Sequence, residues 1–474
     1  MTSSPSRSSS SAGRRPFRSS SSAERSPSRS SSSGGRRPTR IETQTRAPLR
    51  LAGEPRFAWR GVMLDVARRF RPLPELHRFV DLVASHGLNV LQLHLTDDQG
   101  WRFEVRRHPL LVEVGGHRSE SQLGHGPEAR GDGVPHGGWY TQDELRGLVR
   151  YAAERGIRIV PEVDLPGHAR AILAAYPEYG VGGAEAVRER VTEPWTRFGI
   201  SDEVLNAEDA TVAFVCDVID EVCEVFESDV VGIGGDEAQK ARWRDDARTQ
   251  ELMAERGLAD ESELQAWFLG RVASHLASRG RRVIGWDEML EGGGAPAEDA
   301  IVASWRGPVG AELGARLGHE VVLCPDLWTY LDYRQSDDPR EPIPVGTVLS
   351  LEDVASFEPL SSASSPALLQ HVIGVQANVW TEHLDTSERL DYAVFPRLGA
   401  FAEVAWSGGP LEWDDFAFRL PGYLAWLEQQ GVDFRPLDGP RADQQRPGVP
   451  GMPRERAARM AELERLTANL DASG

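Results

Sequence analysis

The chain has one lysine, Lys240, and three cysteines in 474 residues. An odd, scattered set of thiols with no CxxC pair gives no basis for a disulfide framework or a zinc site. Cys216 and Cys223 stand in a helical pattern that separates their Cα atoms by roughly 10 Å along the axis, beyond bridging distance. Together with the distant Cys324 they are expected to be buried free thiols. The shortage of lysine, with no GxGxxG and no Walker pattern, removes the usual phosphate cradles. HxH and HExxH spacings are also missing, so neither a metal nor a cofactor is expected. No run of about 18 apolar residues occurs and no apolar stretch follows Met1, so no membrane span or secretory signal is visible. A cytoplasmic protein without membrane association is the expectation.

Charge is unevenly divided. The net charge is −19, yet residues 1–50 carry 11 Arg against 2 Glu, a local +9 that leaves about −28 on the remainder. So acidic a body is a poor nucleic-acid partner, and none is expected, although the basic tail by itself permits RNA contact. The first 40 or so residues are mostly Ser, Arg, Pro and Gly, with Phe17 almost alone as an apolar side chain. Such a segment cannot bury enough surface to offset chain entropy, so residues 1–50 are expected to be disordered. A hydrophobic fraction of 40% provides for a sizeable core in the rest.

Past a linker at 45–55, short apolar or β-branched runs alternate with amphipathic ones. Runs at 60–66, 88–96, 157–163, 230–235, 282–288, 300–305, 320–324 and 372–378 read as eight strands. Helical periodicity covers Leu76 to His86, Thr141 to Arg155, Ala210 to Phe226, Glu261 to Arg279, Gly310 to Leu317 and Ser387 to Ala405, and Thr141 with Glu144 forms a capping box. The pattern predicts an α/β fold, a (βα)8 TIM barrel with long βα-loop insertions at 98–140, 165–209 and 325–371, all on the active-site rim. The expected organisation is a disordered segment over 1–50, a catalytic barrel over 51–435, and a Pro/Gly-rich tail over 436–474 with a peripheral helix, Arg454 to Leu470.

The run Val230-Val231-Gly232-Ile233-Gly234-Gly235 ends in Asp236-Glu237. Neighbours on a strand point to opposite faces, so both acids can serve one site only where the strand ends, and the two glycines supply that freedom. Adjacent carboxylates resist double ionisation, which suits one charged group and one general acid. A surface Asp-Glu dipeptide is the plain alternative. Other strand ends are also loaded: Asp65 and Arg68, Asp97 and Asp98, Glu162, Asp164 and His168, Trp286 to Glu288, Trp305 and Arg306, Tyr330 and Asp332, Trp380 and Glu382. Carboxylates and an arginine beside indole rings suit a carbohydrate, whose hydroxyls need charged partners and whose C–H faces stack on aromatics.

The stretches RGVMLDVARRF, LNVLQLHLTDDQGWR, GGWYTQDELRGLVRYAAERGIRIVPEVDLPGHA, GIGGDE, IGWDEML, WTYLDY and VQANVWTE resemble glycoside hydrolase family 20, the β-N-acetylhexosaminidases, from about Trp59 to Ser407. The resemblance implies an exo-acting, retaining hydrolase of terminal N-acetylglucosamine or N-acetylgalactosamine β-glycosides. In that family the substrate's own acetamido oxygen attacks the anomeric carbon, giving an oxazolinium intermediate. It implies Glu237 as general acid and base, Asp236 as the partner of the acetamido N–H, and Tyr330 as a donor to the acetamido oxygen. Asp97 and His168 would tune the acid, Arg68, Asp332 and Glu382 would bind the outer hydroxyls, and Trp286, Trp305 and Trp380 would wall the acetamido pocket. The partner would be an oligosaccharide or glycoconjugate ending in N-acetylhexosamine, imported or fragmentary if the protein stays in the cell. Many members carry a small α/β domain before the barrel, where this chain has the Ser/Arg segment. A disaccharide-releasing enzyme of the lacto-N-biosidase type and a catalytically silent amino-sugar-binding protein are the alternatives.

Overall fold

In a computed structural model that describes residues 46–126 and 129–471, eight parallel strands close a barrel in chain order. They are β1 (Trp59–Asp65), β2 (Val90–His94), β3 (Arg158–Leu165), β4 (Val230–Gly234), β5 (Arg282–Trp286), β6 (Ile301–Ser304), β7 (Glu320–Leu323) and β8 (Val372–Val379). Each falls on a run expected from the sequence. Closure comes from β8 pairing back onto β1, with Gly61 opposite Gln376. Most of the segment expected to be disordered lies outside the described residues.

Period-two alternation assigns the two faces of each strand. On β1, Val62 and Leu64 join the large apolar cluster shared with the helices, while Trp59 and Met63 belong to a separate inner cluster with Val160, Ile284 and Val322. The barrel interior is partly polar. Trp59 Nε1 donates to Gln376 (3.2 Å), Gln376 Nε2 to Gln92 (3.1 Å), and Gln92 Nε2 to Glu162 (2.9 Å). Each group fully withdrawn from water thereby keeps a partner, and the chain of side chains ends directly beneath the rim.

The helices that matter to the argument are α1 (Leu73–Ser85), α2 (Gln142–Ala153), α3 (Asp209–Val225), α4 (Glu261–Ser278), α5 (Pro308–Arg316), α6 (Pro366–His371), α7 (Ser387–Val394), α8 (Arg397–Ser407), α9 (Trp413–Gln429) and α10 (Arg456–Asp471). The capping box expected at α2 is present, with Thr141 and Glu144 each accepting the other's backbone N–H. Among the described residues, no helix is long and apolar enough to cross a membrane.

Three expectations are corrected, and one helix is added. The segment Ser387 to Ala405 is two helices, because Pro396 has no N–H to donate and its ring obstructs the preceding turn. Helix α9, which contains Pro421, lies in a stretch for which the sequence pattern predicts no element. Cys216 and Cys223 are free but half-exposed, and Cys324 alone is buried. Finally, α10 is not peripheral: it lies at the mouth of the barrel, where Leu463 is buried in the cluster that contains Trp286, Trp305 and Tyr330.

Candidate active site

Strand β4 ends in a sharp turn. Gly234 and Gly235 have φ of 65° and 93°, and a Cβ on Gly234 would lie 1.6 Å from Asp164 Oδ1. Only glycine fits that position, and its turn puts Asp236 and Glu237 side by side at the rim. Glu237 (φ 49°) and His168 (φ 48°) are two of the three described non-glycine residues in the left-handed region. Each costs about 1–3 kcal/mol in an ordinary chain and persists where packing over-determines it.

A cavity of about 430 Å³ opens here, lined by Arg68, His168, Asp236, Glu237, Trp286, Trp305, Tyr330, Asp332, Trp380 and Glu382. Ten of the eleven site residues expected from the sequence therefore share one wall. The eleventh, Asp97, lies below the floor on a short hairpin (Thr96–Asp97 with Gly100–Trp101) that follows β2. It anchors the charge arrangement, with Arg68 Nη2 and His94 Nε2 both 2.8 Å from Asp97 Oδ2, and His168 Nδ1 3.2 Å from Oδ1.

His168 is enclosed by carboxylates. Nδ1 also stands 3.4 Å from Asp98, and Nε2 is 3.6 Å from both Asp236 and Glu237. Burial alone would strip its proton, but Asp97 and the other acids outweigh burial and hold its pKa well above the usual imidazole value. His94 is raised in the same way, against burial, by Glu162 and Asp97. Carboxylates on both ring nitrogens require both to donate, so His94 is an imidazolium. Burial likewise pushes Asp97 and Asp236 up, yet Arg68 and His168 hold Asp97 well below the carboxylate range, and His168 holds Asp236 below it. Asp164 goes the other way: burial and the charge on Asp236 push it well up.

Aromatic rings surround the cavity. Trp286 and Trp380 have centroids 5.9 Å apart, Tyr330 and Trp380 6.2 Å, and Trp305 and Tyr330 6.3 Å. Trp305 is fixed by donating Nε1–H to Glu288 (2.9 Å). Burial keeps the Tyr330 phenol protonated, with its pKa well above the ordinary value. Asp332 and Glu382 are also raised, first by burial, and Asp332 further by its proximity to Glu382. Asp236 Oδ1, Asp332 Oδ1, Arg68 Nη1 and Trp286 Nε1 are buried without a hydrogen-bond partner in the protein. Unpaired buried polar atoms are costly, and these four leave the cavity with donors and acceptors that a polar ligand or water can meet.

The first long insertion holds Arg68 in place. Arg102, fully buried, donates to the carbonyls of Ala67 (2.6 Å), Gly116 (2.7 Å) and Gly138 (2.9 Å), and Arg118 donates to those of Arg68 (2.7 Å) and Gln99 (2.9 Å). Gln99 in turn accepts from Arg68 Nε (2.9 Å). Sequence reasoning assigned no role to Gln99 or Asp164, although both adjoin expected site residues. It also gave no hint of Arg454, Arg459 and Glu462, which come from the C-terminal tail and line the same cavity.

Three acid and imidazole triads, His94/Asp97/Asp164, Asp97/Asp98/His168 and Asp164/His168/Asp236, have potential ligand atoms within 4.8 Å of one another. They do not suit a metal ion. Arg68 already balances Asp97, and both ring nitrogens of His94 are bonded to carboxylates, Glu162 and Asp97, rather than left free for a cation.

Residues 57–409 match the catalytic domain of glycosyl hydrolase family 20. A β-hexosaminidase of Porphyromonas gingivalis is 40% identical over 386 residues, which is 80% of this chain and 47% of that protein. One from Vibrio furnissii is 37% identical over 351 residues, 73% of this chain and 56% of the relative. The crystal structure of an exo β-N-acetylglucosaminidase from Vibrio harveyi in complex with N-acetylglucosamine aligns with a TM-score of 0.68 at 33% identity, covering 81% of this chain and 59% of that one. The chain thus spans about half the length of these relatives.

Proposed function

For a chain that belongs to glycosyl hydrolase family 20, we propose exo-acting, retaining hydrolysis of terminal N-acetylhexosamine β-glycosides by substrate-assisted catalysis. The carrying observation is the inequality of the two adjacent acids. Asp236 is 11% exposed in its side chain and held charged by His168, while Glu237 is 32% exposed at the cavity.

In this reading the acetamido oxygen of the bound sugar attacks the anomeric carbon as the glycosidic C–O bond breaks, and Glu237 gives its proton to the departing oxygen. Charged Asp236 accepts the acetamido N–H, so positive charge developing on the oxazolinium ring forms beside a fixed anion. Tyr330, kept neutral by burial, donates to the acetamido oxygen and aims it. The indoles of Trp286, Trp305 and Trp380 confine the acetamido methyl and hold the attacking oxygen near the anomeric carbon, a proximity effect. Arg68, Asp332 and Glu382 receive the outer hydroxyls. Water then gives a proton to Glu237 and attacks the anomeric carbon as its bond to the acetamido oxygen breaks, which restores the acetamido group, and two inversions give net retention. Asp97 and His168 act through the acids as positioning residues.

The test is hydrolysis of an aryl N-acetyl-β-glucosaminide beside the aryl β-glucoside that lacks the acetamido group, with wild type and Asp236→Asn. Cleavage of the first alone, lost in the variant, is expected. Equal cleavage of both would require an enzyme nucleophile and overturn the roles of Asp236 and Tyr330. Cleavage of neither would favour a silent sugar-binding protein.

A further inference from the structure

The tail beyond residue 409 lies outside the family match, yet part of it walls the cavity. Met452–Pro453 pairs in parallel with Val345–Gly346, and His125 donates its backbone N–H to the Pro450 carbonyl (2.9 Å), so this short stretch bridges two rim loops. Helix α10 is then tied down along its length. Arg456 Nη1 donates to the Leu327 carbonyl (3.1 Å), Arg459 Nε to Asp326 (2.6 Å), and Arg306 Nη1 to the Leu466 carbonyl (3.3 Å). Arg459 also lies over the Trp305 ring, 5.6 Å from its centroid. These contacts seat the segment against the rim.

Two cavities meet at that wall. Beside the one of about 430 Å³ is a second of about 350 Å³, and Ile200, Glu237, Trp305, Arg459 and Glu462 line both. If Glu237 protonates the glycosidic oxygen, the sugar ring lies toward Arg68, Asp332 and Glu382, and whatever hangs from that oxygen must pass this junction. Glu462 stands there, 30% exposed in its side chain, between Arg454 Nη1 (2.9 Å) and Arg459 Nη1 (2.8 Å). Apart from Ile200, Ala238, Trp305 and Leu466, the second cavity is lined by charged or amide side chains, among them Lys240, Arg306 and Arg465. Such a lining matches hydroxyl groups and offers an apolar group little.

We propose that the tail supplies the leaving-group wall of the active site, with Glu462, which lines both cavities, as the specificity-determining residue that favours a hydroxylated sugar over an apolar leaving group, and Arg454, which lines the first cavity alone, as the residue that positions it. The inference rests on the role proposed above for Glu237. Arg459 anchors the wall rather than reading the ligand, because its guanidinium is committed to Asp326 and Glu462.

The experiment compares kcat/KM for β-linked di-N-acetylglucosamine and for p-nitrophenyl N-acetyl-β-glucosaminide in the full chain, in Glu462→Gln and in Arg454→Met, with melting curves for each. The disaccharide-to-aryl ratio is expected to fall about tenfold or more in both variants, chiefly through KM for the disaccharide. Equal losses on the two substrates, or a ratio that stays at the wild-type value, would overturn the wall while leaving the hydrolase reading intact. Should Glu462→Gln melt early, Arg454→Met reads the same ratio from a side chain 34% exposed. Wild type that cleaves neither substrate would overturn both readings.

Discussion

His168 at the barrel rim and His86 in the seam between α1 and α9 are both withdrawn from water, at 5% and 0% exposure, and their proton affinities move in opposite directions. His86 donates Nδ1–H to the Leu82 carbonyl and accepts the Tyr423 hydroxyl at Nε2, each at 2.7 Å. Neither partner carries charge, so burial prevails and brings its pKa down to about 4. His168 faces carboxylates on both edges, and their fields overcome the same desolvation. Burial thus sets the stakes while the partners decide the sign. The seam spends its buried polarity on stability. The rim holds unpaired polar atoms and strained backbone that chemistry can use.

Substitution at the rim is expected to affect turnover most. Glu237→Gln should lower kcat/KM about 10²–10⁴-fold on glycosides with poor leaving groups, and much less on activated aryl glycosides that need little protonation. Equal losses on both classes would remove Glu237 as the acid. His168→Gln takes away the cation that offsets the burial of Asp236. The Asp236 pKa should then rise, moving the acidic limb of the pH–rate profile to higher pH with a loss of about 10²-fold near neutrality. A profile that merely scales down, with its limbs unmoved, would make His168 a packing residue.

The seam should respond in stability and leave turnover alone. Because His86 has its folded pKa depressed from 6.5 to about 4, its contribution is present above pH 6.5 and is lost as pH falls through 4. The amount is about 3 kcal/mol. Urea unfolding of wild type and His86→Gln at both ends of that window should show the variant losing correspondingly less on acidification, and identical slopes would refute the assignment. His168, raised instead, contributes stability below pH 6.5 that fades only as pH rises through its elevated value. Nitrogen-15 imidazole shifts would separate the two: doubly protonated His168 at pH values where His86 is already neutral. The smallest effect is expected far from either region. Cys216→Ser, at a free and half-exposed thiol, should change stability by no more than about 0.5 kcal/mol and activity not at all.

Much of this was legible locally. β-branched runs such as Val230 to Ile233, punctuated by glycine, specify buried strands through contacts within a few residues. Gly234-Gly235 before Asp236-Glu237 specifies a turn that presents two acids together. Because each strand ends on the same rim once the barrel closes, residues as distant as Arg68 and Glu382 could be placed in one site from motifs alone. What escaped was set by contacts between remote segments. The charged face of α10 reads as solvated, since the groups that bury it, Asp326, Trp305 and the Leu327 carbonyl, lie more than a hundred residues away. Asp164 reads as another rim carboxylate until Asp236 and the burial around it set its protonation.

The sequence by itself therefore determined the eight strands, the rim and the side chains offered there, because periodicity and glycine geometry act over short stretches of chain. The tertiary structure alone decided which of those acids and imidazoles carry charge and that the tail closes one side of the cavity. Desolvation and Coulomb energy depend on distances that exist only after the barrel has closed.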